Sequence, residues 1–147
     1  MDERKEACMH CITLPVEDLD RSYRFYAEGM GFEAPAPDPD ADHVSFKMNN
    51  GMYFVIVPRE TFSAFATPAF QTIAPRGESE CIMSCFVQSE SEVDTMLART
   101  ESAGGTIAKE AQQMLWGYSG YVKDPDGHLW EFMFNASLLE SKDHAPT

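Results

Sequence analysis

Residues 12–32 read ITLPVEDLDRSYRFYAEGMGF, and the order of elements in this stretch decides the fold. The segment CITLPV (11–16) alternates, with Ile12, Leu14 and Val16 on one side and Cys11, Thr13 and Pro15 on the other. That is the period-2 pattern of a strand. Glu17-Asp18 then opens an amphipathic helix whose Leu19, Tyr23, Tyr26 and Met30 share a face. Gly29 and Gly31 supply its stop.

The same order returns in the second half. CIMSCFV (81–87) reads as a strand and SESEVDTMLARTESA (89–103) as a helix with Val93, Met96 and Leu97 inward, ended by Gly104-Gly105. Ser89 with Glu92 fits a capping box. Short strands follow each helix. In the first half these are a strand near 32–36 in a proline-rich stretch, then HVSFKM, an Asn50-Gly51 turn and MYFVIV. In the second half they are TIAKE, YSGYVK, the turn Asp124-Pro125-Asp126-Gly127 and HLWEFMF. The pattern is βαβββ twice, an α+β arrangement with modules over about 8–57 and 81–135. A connector (58–80) joins them, with PRETFSAFA forming one or two helical turns. A module this small could hardly bury its own face, so the two are expected to pack as one domain.

The bulk composition excludes several classes. A chain of 147 residues with 44% hydrophobic and 12% aromatic residues is ordinarily globular. A net charge of −13 argues against nucleic acid, which needs clustered Lys and Arg. It suits solubility, and it would attract a cationic ligand. No apolar run reaches the length of a membrane span, and MDERKEA leads into no signal-type core, so a cytoplasmic location is expected. Cys8, Cys11, Cys81 and Cys85 then suggest no disulfide framework. Cys8 and Cys11 are three apart on an extended segment and face opposite sides, so CMHC is not a zinc half-site.

Two stretches carry a family resemblance: V-x-D-L-x-R-S-x-x-F-Y (16–26) and D-P-D-G-H-x-W-E (124–131). In this order, within a repeated βαβββ pattern, they resemble the vicinal oxygen chelate superfamily. Its members include glyoxalase I, bleomycin-resistance proteins and extradiol dioxygenases. The resemblance implies a curved mixed sheet around a cavity, and frequently a homodimer. In the enzymes of that family it also implies a divalent metal held by residues on the first and last strand of each module. Counting from Val16, Val87, Gly51 and Gly127, those four positions here are Cys11, Ile82, Val55 and Glu131. Ile and Val donate nothing to a metal, and a catalytic site needs about three protein ligands. Cys11 and Glu131 are the two positions with donor atoms. A resident metal or other cofactor is therefore not expected. None of His10, His43, His128 and His144 falls where it would restore the set.

Strand parity names an inner face of Cys11, Thr13, Ile82, Ser84, Phe86, Leu129, Glu131 and Met133, with Trp130, Phe132 and Phe134 turned toward a helix. Trp116, Tyr118 and Tyr121 read equally as aromatic pocket walls or as core. An inward carboxylate at Glu131 must be solvated, paired or used, and Ser84 and Tyr118 are the partners within reach of this reading. Ser119, in GYSGY, lacks the strand–turn–helix context of a hydrolase nucleophile. The leading expectation is a binding protein of sequestering or resistance type, taking an aromatic or cationic small molecule on Cys11, Thr13, Ser84, Phe86, Trp116, Tyr118, Tyr121 and Glu131. The alternative is a lactoylglutathione-lyase-like lyase, an isomerase or a dioxygenase that uses Glu131 with a divalent metal. A third reading, a protein-interaction module, has its one apolar candidate in FSAFATPAF (62–70).

Overall fold

The computed structural model describes residues 7–65 and 73–138. His144 and most of FSAFATPAF lie outside them. The chain divides into two compact units: Met1–Tyr23 with Phe32–Thr72, and Arg24–Gly31 with Ile73–Thr147.

In the first unit, strand β1 (Cys11–Val16) pairs in parallel with β3 (Tyr53–Pro58), which pairs antiparallel with β2 (Val44–Lys47), giving the order β1-β3-β2. Parallel neighbours require a crossover. The helix α1 (Leu19–Arg24) begins it, with Asp18 Oδ1 accepting the Arg21 N–H at 3.0 Å as its cap. Phe46 stacks against Phe54 and Tyr23 with ring centroids 5.9 and 6.1 Å apart, and Phe32 meets both phenylalanines edge-on. These rings, with Val16, Val44 and Ile56, form the core of this unit.

No strand forms over 32–36, in contrast to the sequence expectation. Pro35, Pro37 and Pro39 have no N–H to give a ladder. The segment is fixed instead by the Tyr23 hydroxyl, which donates to the Ala34 carbonyl at 3.0 Å. A single helical turn and a half, α2 (Arg59–Ser63), opens the connector.

The second unit orders its strands β4-β7-β6-β5, from β4 (Ile82–Phe86), β5 (Thr106–Met114), β6 (Gly117–Lys123) and β7 (Leu129–Phe134). Here β4 runs parallel to β7, repeating the β1–β3 relation, and the remaining pairs are antiparallel. Both sheets are mixed and open. The edge strand β5 is longer than its sequence signal, because the polar run AQQM continues the ladder with register shifts and no alternation. Helix α3 (Glu90–Ser102) buries Val93, Leu97 and Thr100.

The Ser89 cap predicted for α3 is present, with the reciprocal Glu92 bond displaced by one residue, from Ser89 to Gln88. Ser89 Oγ accepts the Glu92 N–H at 3.1 Å, and the Glu92 carboxylate accepts the Gln88 N–H at 2.8 Å. Ser89→Ala should cost about 1 kcal/mol in urea unfolding, with an unchanged dependence on denaturant.

The first helix reaches the Gly29 stop that its pattern suggests, but not as one continuous α-helix. After Arg24 the chain widens into a π turn, Phe25–Gly29, closed by the Met30 N–H on the Phe25 carbonyl at 3.1 Å. Of the expected stripe, Tyr26 and Met30 are buried while Leu19 and Tyr23 are half-buried, and the wider turn adds Phe25, which like Tyr26 is fully buried in the second unit. Gly29 is required there, since a Cβ would stand 2.8 Å from the Ala103 side chain.

Candidate functional site: the Glu131 face

The register of the second sheet sets three side-chain rows on the face away from α3. They run Ile82–Leu129–Lys123, Ser84–Glu131–Tyr121 and Phe86–Met133–Ser119. Met83, Trp130, Phe132 and Val122 occupy the other face and are buried. Cys85 is also on that side, where burial pushes its thiol up to about 11, so it is a packed and unreactive thiol.

Glu131 sits at the centre of the open face and is 7% exposed. Three side chains donate to its carboxylate. Ser84 Oγ reaches Oε1 at 2.7 Å, while Trp116 Nε1 and the Tyr121 hydroxyl reach Oε2 at 3.0 and 2.9 Å. The strands place Ser84 and Tyr121 directly opposite Glu131 on either side, so parity alone delivers two of the three donors. Burial, and then the Glu131 carboxylate, raise the Tyr121 hydroxyl above its ordinary value, so it remains a donor.

Trp116 arrives differently. It stands just before β6 and five residues before Tyr121, a distance of about 17 Å on an extended strand. To meet Glu131, the indole must lie along the sheet over the Ser119–Met133 row. Burial agrees: Ser119 and Met133 are 1% and 3% exposed, while Phe86 at the outer end of the same row is 56% exposed. The Asn135 side-chain amide donates to the Trp116 carbonyl at 2.7 Å and holds the backbone of this turn.

Tyr118 does not belong to this face, contrary to its grouping with Trp116 and Tyr121. It is three residues from Tyr121 and therefore opposite in parity. Its hydroxyl donates to Asp94 of α3 at 2.8 Å, a bond that raises it above the usual tyrosine range. It lines a cleft of about 260 Å³ with Asp94, Leu97, Ile107 and Glu110.

The first unit carries the remaining sequence candidates. Thr13 and Val55 face each other across β1 and β3 and line a concavity of about 200 Å³ with His43, Val57 and Phe65. Cys11 is exposed, its Sγ 3.7 Å from Thr13 Oγ1. His43 pairs with the neighbouring Asp42 at 2.7 Å. His10 lies 3.2 Å from Cys8 Sγ through Nε2.

These residues do not fit the metal that the resemblance implies. Val55 and Ile82 carry no donor atoms, and both oxygens of Glu131 are already engaged by three protein donors. Among the described residues, no group of three or more His, Cys, Asp or Glu side chains is placed to hold a metal ion.

The sequence profile of the Glyoxalase/Bleomycin resistance protein/Dioxygenase superfamily matches residues 9–132, and the chain belongs to that superfamily. Among solved structures, a glyoxalase-related enzyme from Fulvimarina pelagi is 30% identical with a TM-score of 0.77, over 88% of each chain. A lactoylglutathione lyase from Agrobacterium tumefaciens is 19% identical with a TM-score of 0.66, over 90% of this chain and 96% of that one. A fosfomycin resistance protein from Listeria monocytogenes is 21% identical with a TM-score of 0.64, over 90% and 95%. No curated protein sequence matches.

Ser119 joins this face although its GYSGY context offers only a hydrolase-like pattern without the fold to support it. The signal was available: Ser119 has the same parity as Tyr121, which pairs with Glu131.

Proposed function

We propose that the protein is a small-molecule-binding member of the superfamily that works without a resident metal. It takes an aromatic or cationic ligand on the Glu131 face, as a sequestering or resistance-type protein would. The observation that supports this most is the state of Glu131. A carboxylate at a family ligand position is held by Ser84, Trp116 and Tyr121 beside exposed Phe86 and Ile82. Aromatic surface around a few convergent polar groups is what small-molecule sites offer. A homodimer is part of the proposal, to be checked by light scattering. Among the described residues no helix is long and apolar enough to cross a membrane.

The test is a calorimetric titration of the full chain with a panel of aromatic cations, including benzamidine and tryptamine, alongside metal analysis. Binding should appear in the panel and weaken about tenfold or more in Glu131→Ala, the scale of a lost charge-assisted hydrogen bond. Near-stoichiometric divalent metal in the purified protein, lost in Glu131→Ala, would instead establish the metal-dependent lyase or dioxygenase reading.

A further inference from the structure

We propose that Trp116 is a displaceable lid, its indole standing in for a flat aromatic ligand that docks an N–H or amino donor on Glu131. This rests on the Glu131 face being the binding face.

Three observations converge on the space that the indole fills. The first is the hydrogen bond itself: Trp116 Nε1 donates to Glu131 Oε2 at 3.0 Å from a residue that is still 42% exposed. A side chain so open to water can leave by rotating about its own bonds, without unpacking the core behind β7. The second is the floor. Ser119 Oγ is buried and makes no hydrogen bond of good geometry among the described residues, its one polar neighbour being the Tyr121 hydroxyl, which already donates to Glu131. Buried hydroxyls are ordinarily satisfied, so Ser119 keeps a donor to offer to a polar group on this face. The third is the set of groups that remain when the indole swings away. Glu131 keeps Ser84 and Tyr121 and regains a free acceptor on Oε2, Ser119 offers a hydroxyl, Met133 gives an apolar floor and Phe86 an exposed ring at the edge.

That set defines the ligand class. The indole slot accepts a planar ring of one or two cycles, because a planar ring already fills it. The acceptor at its end selects a ring N–H, amine or amidine. An acceptor atom on the ring edge would add a bond from Ser119 that Trp116 cannot make. A ligand with both features replaces everything the indole provides and satisfies one more group. Such a ligand has a reason to win the exchange.

A pocket wall that stacks on the ligand weakens binding when removed, whereas a lid that competes with the ligand strengthens it. The probe is indole itself, with indene as the same shape lacking the N–H, and the full chain is used throughout. Trp116→Ala should bind indole at least tenfold more tightly than the unaltered protein, and should bind indene about tenfold more weakly than indole. Trp116→Phe, which fills part of the slot without an N–H, should fall between the two proteins. In the unaltered chain, cations from the panel above should shift the Trp116 indole N–H resonance. They should leave that of Trp130, which donates to the buried Tyr26 hydroxyl, in place.

If Trp116→Ala binds indole no better than the unaltered protein, the lid is wrong. If panel cations bind Trp116→Ala more weakly, Trp116 is a wall: the lid falls and the binding function stands. If no variant binds indole or any cation, both readings fall together.

Discussion

Asp124→Ala should destabilise the protein by about 3–5 kcal/mol in urea unfolding, the scale of several buried donors losing their acceptor. One Asp124 oxygen accepts the N–H groups of Asp126 and His128 at 2.9 and 2.8 Å, which shapes the D-P-D-G turn. The other accepts the hydroxyl of the fully buried Tyr26 at 2.5 Å, and Tyr26 in turn accepts from Trp130 Nε1 at 3.1 Å. Alanine leaves all of these donors inside the fold. Tyr26→Phe keeps the ring packing and should cost less, about 2 kcal/mol.

The pH dependence carries the same signature. Burial holds the Asp124 carboxyl above the usual carboxylate range, against the pull of its donors. The native state therefore binds more protons than the unfolded chain between the ordinary value and the raised one. Stability contributed by this group is present in acid and declines as pH rises through the raised pKa. Asp124→Asn should be less stable yet flatter across that window. Burial, then Asp124, also lifts Tyr26 well above 10, so a second decline should begin as pH passes about 10 and should vanish in Tyr26→Phe.

Gly117→Ala should cost about 2–4 kcal/mol and release Trp116 from Glu131. Its backbone φ of +141° is poorly suited to an L side chain, and a Cβ there would press into the Phe134 carbonyl oxygen and stand 2.9 Å from Met133 Sδ. The Phe134 carbonyl belongs to the ladder and cannot rotate away, so β6 must shift, taking the preceding residue with it. Gly51→Ala separates backbone strain from collision. Its φ is +87°, but a Cβ would meet nothing within 4 Å, so about 1 kcal/mol is expected. A lost Trp116 indole shift in Gly117→Ala alone, read by NMR beside urea unfolding, would confirm the distinction. Equal costs for the two variants would refute it.

What could be read from the sequence was whatever depended on short-range spacing. Asp124-Pro125-Asp126-Gly127 is a turn because Asp124 can reach the two N–H groups that follow it. Glu131, Ser84 and Tyr121 share a face because strands alternate. Parity also separates Tyr118 from Tyr121, and it was the attraction of grouping aromatics that hid this. The π turn was not legible, since one inserted residue rotates everything after it and Phe25 carries no mark of that rotation. Nor was the path of Trp116, which depends on the hairpin that launches it and on a long side chain lying parallel to the sheet.

The division of the chain into compact units has an evolutionary consequence. The repeat ends in the connector, but the border between units falls inside the first helix, where Arg24–Gly31 joins the second unit. Phe25 and Tyr26 are thus encoded with one half and buried with the other. Two relatives could not exchange halves at the connector and keep matched interiors, because the Tyr26 hydroxyl from one parent would meet the Asp124 and Trp130 of the other. A working exchange of halves would have to carry Arg24–Gly31 along with Ile73 onward, so the block that must move together is not the one that the repeated pattern advertises.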